Sequence, residues 1–119
     1  MMTTSDEFQI DWESIDGVWV ARLVGRLDLS RAMDLEEMIK ARLEESPAPL
    51  VVNLVRMSYL PSAGVGALLN VHRFITERKL KLALCEVPHE VKRLLDVVEL
   101  TSLLPVFPLQ AEAVAALKS

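Results

Sequence analysis

A chain of 119 residues has the length of one domain and leaves no room for two. About half of it (51%) is apolar, enough for one continuous core that buries roughly two-thirds of the unfolded chain's surface without disulfides or a structural metal. A net charge of −4 speaks against nucleic acid, which needs a basic face, and no apolar stretch approaches the about 20 residues of a membrane span.

The start, Met1-Met2-Thr3-Thr4-Ser5-Asp6-Glu7, is polar and acidic, without the basic and apolar regions of a signal peptide. Residues 1–6 are expected to be flexible and the protein cytoplasmic. Phe8-Gln9-Ile10-Asp11-Trp12-Glu13 alternates apolar with polar, the period of a half-buried strand. Ser14-Ile15-Asp16-Gly17 supplies a hairpin turn, and Val18 to Val24 reads as the returning strand. Gly25 ends it, and a short loop runs through Asp28.

Ser30 is the expected cap of the first helix, whose apolar face carries Leu35, Met38, Ile39 and Leu43 alongside Arg42. Asp34, Glu36 and Glu37 toward its start, with Lys40 and Arg42 toward its end, suit the helix dipole. Ser46-Pro47-Ala48-Pro49 breaks it. Leu50 to Val55 is a near-continuous apolar run, as in a central strand covered on both faces.

A second helix is predicted from Ser62 to about Arg78, with Val65, Leu68, Leu69, His72 and Ile75 on one side. Lys81 to Glu86 is the next strand. Its Cys85 has no partner in the chain and reads as a buried thiol acting as a small hydrophobe in a reducing compartment. Pro88 opens a third helix, with Val91, Leu94, Leu95 and Val98 as its buried stripe. Leu103 to Phe107 is a short strand or extended segment, and Gln110 to Lys118 a last, alanine-rich helix. Strands and helices alternating after a hairpin imply an α/β fold with a mostly parallel or mixed sheet flanked by helices.

Catalytic candidates are few. His72 falls beside the apolar side of its helix, where a satisfied boundary histidine is the ordinary reading, and His89 stands at a helix start facing solvent. Neither has a cysteine or carboxylate at metal-ligand spacing. The acid pairs Glu36-Glu37 and Glu44-Glu45 read as solvated helix faces, and Arg73, Arg78, Lys79 and Lys81 as a solvated helix end. Neither a Gly-x-Gly-x-x-Gly loop nor a P-loop is present. The residues describe no enzyme, metal site or cofactor site.

The segment Met57-Ser58-Tyr59-Leu60-Pro61-Ser62-Ala63-Gly64-Val65-Gly66-Ala67-Leu68-Leu69 stands apart. It joins a buried strand to an amphipathic helix and places two glycines in the helix's first turns, each costing up to about 1 kcal/mol against alanine. Two readings fit. In one, Ser62 serves only as a cap and the glycines allow tight helix–strand packing; in the other, another chain or a phosphate approaches the backbone at this helix N-terminus.

Several motifs, in this order and spacing, resemble those of the STAS domain, the module of bacterial anti-sigma factor antagonists. Gly25-Arg26-Leu27-Asp28-Leu29-Ser30 is similar to the family's G-x-L-D-x-x segment, and Val51-Val52-Asn53-Leu54 to its central strand. Leu60 to Leu69 resembles the signature D-S-S-G-(L/V)-G-x-L, with Pro61 in place of the aspartate and Ala63 in place of the second serine. Val91 to Leu100 resembles its V-x-R-x-L helix, and Leu104 to Phe107 its closing strand.

The resemblance covers nearly the whole chain. It implies a single STAS domain over 1–119: a mixed sheet of about five strands with an N-terminal hairpin, flanked by about four helices. It further implies an anti-sigma factor antagonist that binds an anti-sigma factor, itself a serine-protein kinase of the GHKL type. Ser62 would be the phosphorylation site, reset by a serine phosphatase, and the partner-binding face would comprise Asp28, Leu60, Pro61, Ser62, Ala63, Gly64, Asn70 and Arg73. The alternative is a STAS adaptor that is never phosphorylated, a subunit of a sensor or lipid-transport complex using the same face. A third class, a small-molecule-binding or enzymatic α/β domain, would require a polar pocket.

Overall fold

The structure, a computed structural model, describes residues 8–57 and 59–118. The expected flexibility of residues 1–6 lies outside the described residues. Ten elements follow one another. They are β1 (Gln9–Ile15), β2 (Val18–Val24), α1 (Leu29–Glu45), β3 (Leu50–Asn53), α2 (Ser62–Glu77), β4 (Leu82–Cys85), α3 (His89–Val97), a 3-10 turn (Leu100–Ser102), β5 (Val106–Phe107) and α4 (Gln110–Leu117). The five strands form one mixed sheet in the order β1-β2-β3-β4-β5. β1 and β2 pair antiparallel, and every later pair is parallel. At the hairpin tip Asp16 and Gly17 both adopt positive φ (53° and 80°), the geometry whose twist matches a two-residue hairpin.

The two-residue period of the strands divides the core. Ala21, Leu23, Leu50, Val52, Leu82 and Leu84 point to one face, where they bury the apolar sides of α1, α2 and α3. Val18, Val20, Val51, Ala83 and Cys85 point to the other, covered by Ala113, Val114 and Leu117 of α4. β3 and β4 are buried at every position, which is why their sequences read as unbroken apolar runs. On the edge hairpin, Trp12 and Trp19 meet edge to face, and the Arg42 guanidinium lies 4.5 and 4.8 Å from their ring centroids, tying the end of α1 to the sheet.

Some local expectations are corrected. The cap of α1 is Asp28 rather than Ser30: the Arg31 N–H donates to Asp28 Oδ1 (3.0 Å), and the Ser30 hydroxyl turns back to the same oxygen (3.1 Å). Asp28 is the residue left in extended conformation, so its carboxylate is the one aimed at the free N–H groups. The third strand stops at Asn53 because the Asn53 carboxamide accepts the Val55 N–H (2.9 Å) and bends the chain; Val55 is exposed. Pro88 stands one position before the third helix, as its cap. Met38 and Val98 reach solvent. In place of Val98, Leu100 enters the core after Glu99 takes a left-handed conformation (φ 62°).

Candidate functional site: the N-terminus of the second helix

The chain leaves β3, turns through Leu54–Met57 and enters α2 at Ser62. Leu60 is buried and anchors this approach. Pro61 caps α2 through its backbone: its carbonyl accepts the N–H groups of Gly64 (2.8 Å) and Val65 (3.1 Å), and its own side chain makes no capping hydrogen bond. Ser62 is therefore the first helical residue rather than a cap. It is exposed, Ala63 half-buried and Gly64 buried.

The two glycines do different work. A Cβ on Gly64 would lie 2.7 Å from Leu60 Cδ1 and 2.9 Å from Leu27 Cδ2. Gly64 is thus the point where α2, its approach and the Gly25–Asp28 loop close together. A Cβ on Gly66 would meet nothing within 4 Å. Tight packing explains the first glycine and leaves the second unexplained.

Through Leu27, the loop ending at Asp28 is brought beside the α2 N-terminus. The Asp28 carboxyl is held below its ordinary value of 3.8, first by the Arg31 N–H and then by the Ser30 hydroxyl. Asn70 and Arg73 lie about 12 and 16 Å further along the α2 axis at 1.5 Å per residue. Asn70 is half-buried: its Nδ2 donates to Glu36 Oε2 of α1 (2.9 Å), and its Oδ1 accepts from Arg73 (3.3 Å). The structure thus gathers Asp28, Leu60, Pro61, Ser62, Ala63 and Gly64 at one end, with Asn70 locking two helices together and exposed Arg73 beyond it.

Three flanking residues escaped the sequence reading. Leu29 (70% exposed), Met33 (60%) and Tyr59 (74%) leave large apolar side chains in solvent. Leu29 and Met33 continue through Glu36 to Lys40 along one edge of α1, spaced three or four residues apart. Glu36 reaches Asn70, and Lys40 lies over the Phe74 ring (5.8 Å), so this edge runs beside α2. The available signal was their spacing: both fall off the Ala32–Leu35–Ile39–Leu43 stripe that faces the sheet. Tyr59 lines a shallow groove with Leu60, Glu90, Val91 and Leu94.

The remaining candidates lie elsewhere. Nε2 of half-buried His72 is 3.5 Å from Thr76 Oγ1, and His89 is exposed at the start of α3. Glu36 is bound to Asn70, and Glu44 pairs with Arg78 (3.3 Å). Among the described residues no group of three or more His, Cys, Asp or Glu side chains is placed to hold a metal, and no helix is long and apolar enough to cross a membrane.

A family model described as the STAS domain matches residues 9–113. The chain is 30% identical over 114 residues to an anti-sigma F factor antagonist of Paenibacillus polymyxa, covering 92% of this chain and 95% of that one. It resembles the crystal structure of an anti-sigma factor antagonist from Mycobacterium paratuberculosis, with a TM-score of 0.80, 25% identity and coverage of 99% and 100%. It shares its fold with the Bacillus cell fate determinant SpoIIAA in the phosphorylated form, with a TM-score of 0.71, 20% identity and coverage of 92% and 98%.

Proposed function

Because the chain belongs to the STAS domain family, we propose that it acts as an anti-sigma factor antagonist, docking on a serine-kinase anti-sigma factor through the surface around the α2 N-terminus and released when Ser62 carries a phosphate. The observation that carries this reading is the presentation of Ser62: an exposed hydroxyl at the first residue of a 16-residue helix, spared from capping and flanked by the buried anchors Leu60 and Gly64. The name of the Paenibacillus polymyxa relative supports it.

The physics of the switch follows from the surroundings. A phosphoserine adds about −1.5 to −2 charges. The amide end and dipole of α2 favour that charge, so the fold tolerates it. A partner covering Leu29, Met33 and Tyr59 would have to strip water from the dianion, and that cost opposes docking. Gly66, where a Cβ would meet nothing within 4 Å, lets a partner's backbone come close to α2. In this reading the protein is no enzyme. The Ser62 hydroxyl is the substrate of the partner kinase, and a serine phosphatase restores it in a bacterial cytoplasm.

One observation favours a second reading, a constitutive STAS adaptor in a sensor or lipid-transport complex. Pro61 caps α2 without a side-chain hydrogen bond, where the resembled signature carries an aspartate, so a kinase meets no carboxylate there. The two readings part on Ser62. Affinity for the co-purifying partner should survive Ser62→Ala and fall at least tenfold for Ser62→Glu, and the isolated kinase should phosphorylate wild type but not Ser62→Ala. Wild-type affinity in both variants, with no phosphate acquired, would leave the adaptor.

A further inference from the structure

We propose that the partner face runs on from Ser62 to α3 and ends in a groove that holds one arginine of the partner. The guanidinium stacks on the Tyr59 ring and pairs with the Glu90 carboxylate. The groove belongs to the docking surface proposed above, and its role there rests on that reading. It has a volume of about 230 Å³, lies between the approach to α2 and the first turns of α3, and is lined by Tyr59, Leu60, Glu90, Val91 and Leu94. Tyr59 stands three residues before Ser62, so the chain between them spans at most about 11 Å. A standard interface covers roughly 800 Å² on each partner, enough for one partner to reach both.

Three observations point to that occupant. The first is that the apolar groups form a strip rather than a single exposed side chain. Leu60 and Val91 are buried as a floor, Leu94 is half-buried, and Tyr59 is 74% exposed. Glu90, Leu94 and Val97 follow at i, i+4 and i+7 on one face of α3, so Val97, 78% exposed, continues the strip by a turn. The second is charge. Glu90 is exposed in the first turn of α3 and brings its carboxylate into this lining. An aromatic face, an aliphatic floor and a carboxylate together select a cation that sheds water readily. Guanidinium is planar and weakly hydrated, stacks on aromatic rings and meets a carboxylate through two parallel N–H bonds; the strongly hydrated ammonium of lysine suits the site less well. Tyrosine and arginine are also the side chains that most often carry the energy of an interface. The third is the departure at Pro61. The signature that Leu60 to Leu69 resembles has an aspartate there. Glu90, brought from α3 into the groove that Leu60 lines, returns a carboxylate to this end of the molecule from a different element.

The probe is the peptide acetyl-leucyl-arginyl-leucine amide, titrated into the full chain and followed by amide chemical shifts. Saturable shifts centred on residues 59–60 and 90–94 are expected. The peptide with citrulline, the neutral isostere of arginine, should bind at least fivefold more weakly, and the peptide with lysine at least twofold more weakly. Glu90→Gln and Tyr59→Ala, both surface changes, should each weaken the arginine peptide at least fivefold, while Lys92→Gln, a charge change on α3 outside the lining, should leave it unchanged. The kinase that modifies Ser62 should lose affinity for Glu90→Gln and Tyr59→Ala by a similar factor. Full affinity of that kinase for both variants would overturn the groove and leave the antagonist reading standing. Saturable, arginine-selective peptide binding by a chain that no kinase modifies would support the groove and remove the antagonist reading. Shifts that do not saturate, equal binding of the arginine peptide and either substitute, or equal damage from Lys92→Gln and Glu90→Gln would each overturn the proposal.

Discussion

Gly64 and Gly66 sit two residues apart on one helix and answer to different constraints. At Gly64 the methyl of an alanine would overlap the side-chain ends of Leu60 and Leu27, which are both buried and would have to shift within the core. Overpacking of this kind costs about 1–3 kcal/mol, more than the about 1 kcal/mol that helix propensity returns. Gly66→Ala meets open space and should stabilise by about 0.5–1 kcal/mol while weakening attachment of any partner seated on α2. Urea midpoints of the two variants should therefore move in opposite directions. Asp28 carries a pH dependence of known sign. Its folded pKa is lowered below 3.8, so its contribution is present above that value and is lost as the pH falls through the lower folded value. Asp28→Asn keeps the capping oxygen and removes the titration. On acidification toward and below pH 3.8, wild type should lose stability relative to Asp28→Asn; parallel urea profiles would show that the carboxylate makes no such contribution.

Among elements, α4 depends most on a polar join. Asn53 is 2% exposed at the end of β3, donates to Gln110 Oε1 (2.8 Å) and accepts from Val55 N (2.9 Å); the Gln110 N–H in turn donates to Glu86 Oε2 (2.9 Å). One buried carboxamide thus fixes the exit from the central strand, hence the path toward Ser62, and seats the first residue of α4. Asn53→Ala removes the partner of the Gln110 carboxamide and of the Val55 N–H, both part-buried bonds, and should cost about 0.5–1.5 kcal/mol for each bond lost. Combined with Gln110→Ala in a double-mutant cycle, it should show a coupling of about 0.5–1.5 kcal/mol by chemical denaturation. A coupling near zero would mean that Asn53 acts on the β3 turn alone. α1 shows a different division: its Ala32–Leu35–Ile39–Leu43 stripe holds the sheet, and its Leu29–Met33 edge is left for contact.

At the scale of the whole molecule the sheet separates a large core under three helices from a small one under α4. Cys85 belongs to the small one. Burial pushes its thiol up to about 12, and the neighbouring Glu86 adds to the effect. The native thiol should resist alkylating reagents at neutral pH and react only as the α4 layer opens. Labelling of Asn53→Ala should accordingly be faster than that of wild type. The sign for stability follows from the raised value: the contribution is intact below the ordinary 9.0 and declines as the pH rises from there toward about 12, because the unfolded chain ionises first.

The fold was legible because its signals are local. Asp16-Gly17 commits the hairpin through backbone conformation, the unbroken apolar runs at Leu50 and Leu82 announce strands covered on both faces, and Ser46 to Pro49 stops a helix. The position of Ser62 at a helix start could be read for the same reason. Other features depend on neighbours distant in sequence. That Gly64 is packed and Gly66 free rests on Leu27, 37 residues before Gly64, and the tie of Asn70 to α1 rests on Glu36. The choice of Asp28 over Ser30 as the cap followed from which residue stayed extended. Leu29 and Met33 look like ordinary helix apolars until the placement of α2 shows them largely exposed among the described residues. Periodicity and turn chemistry, acting over a few residues, determined the order and type of the elements. Which side chains stand free, which are locked and which share a surface was decided by the packing of distant segments, because burial is a property of the assembled layers.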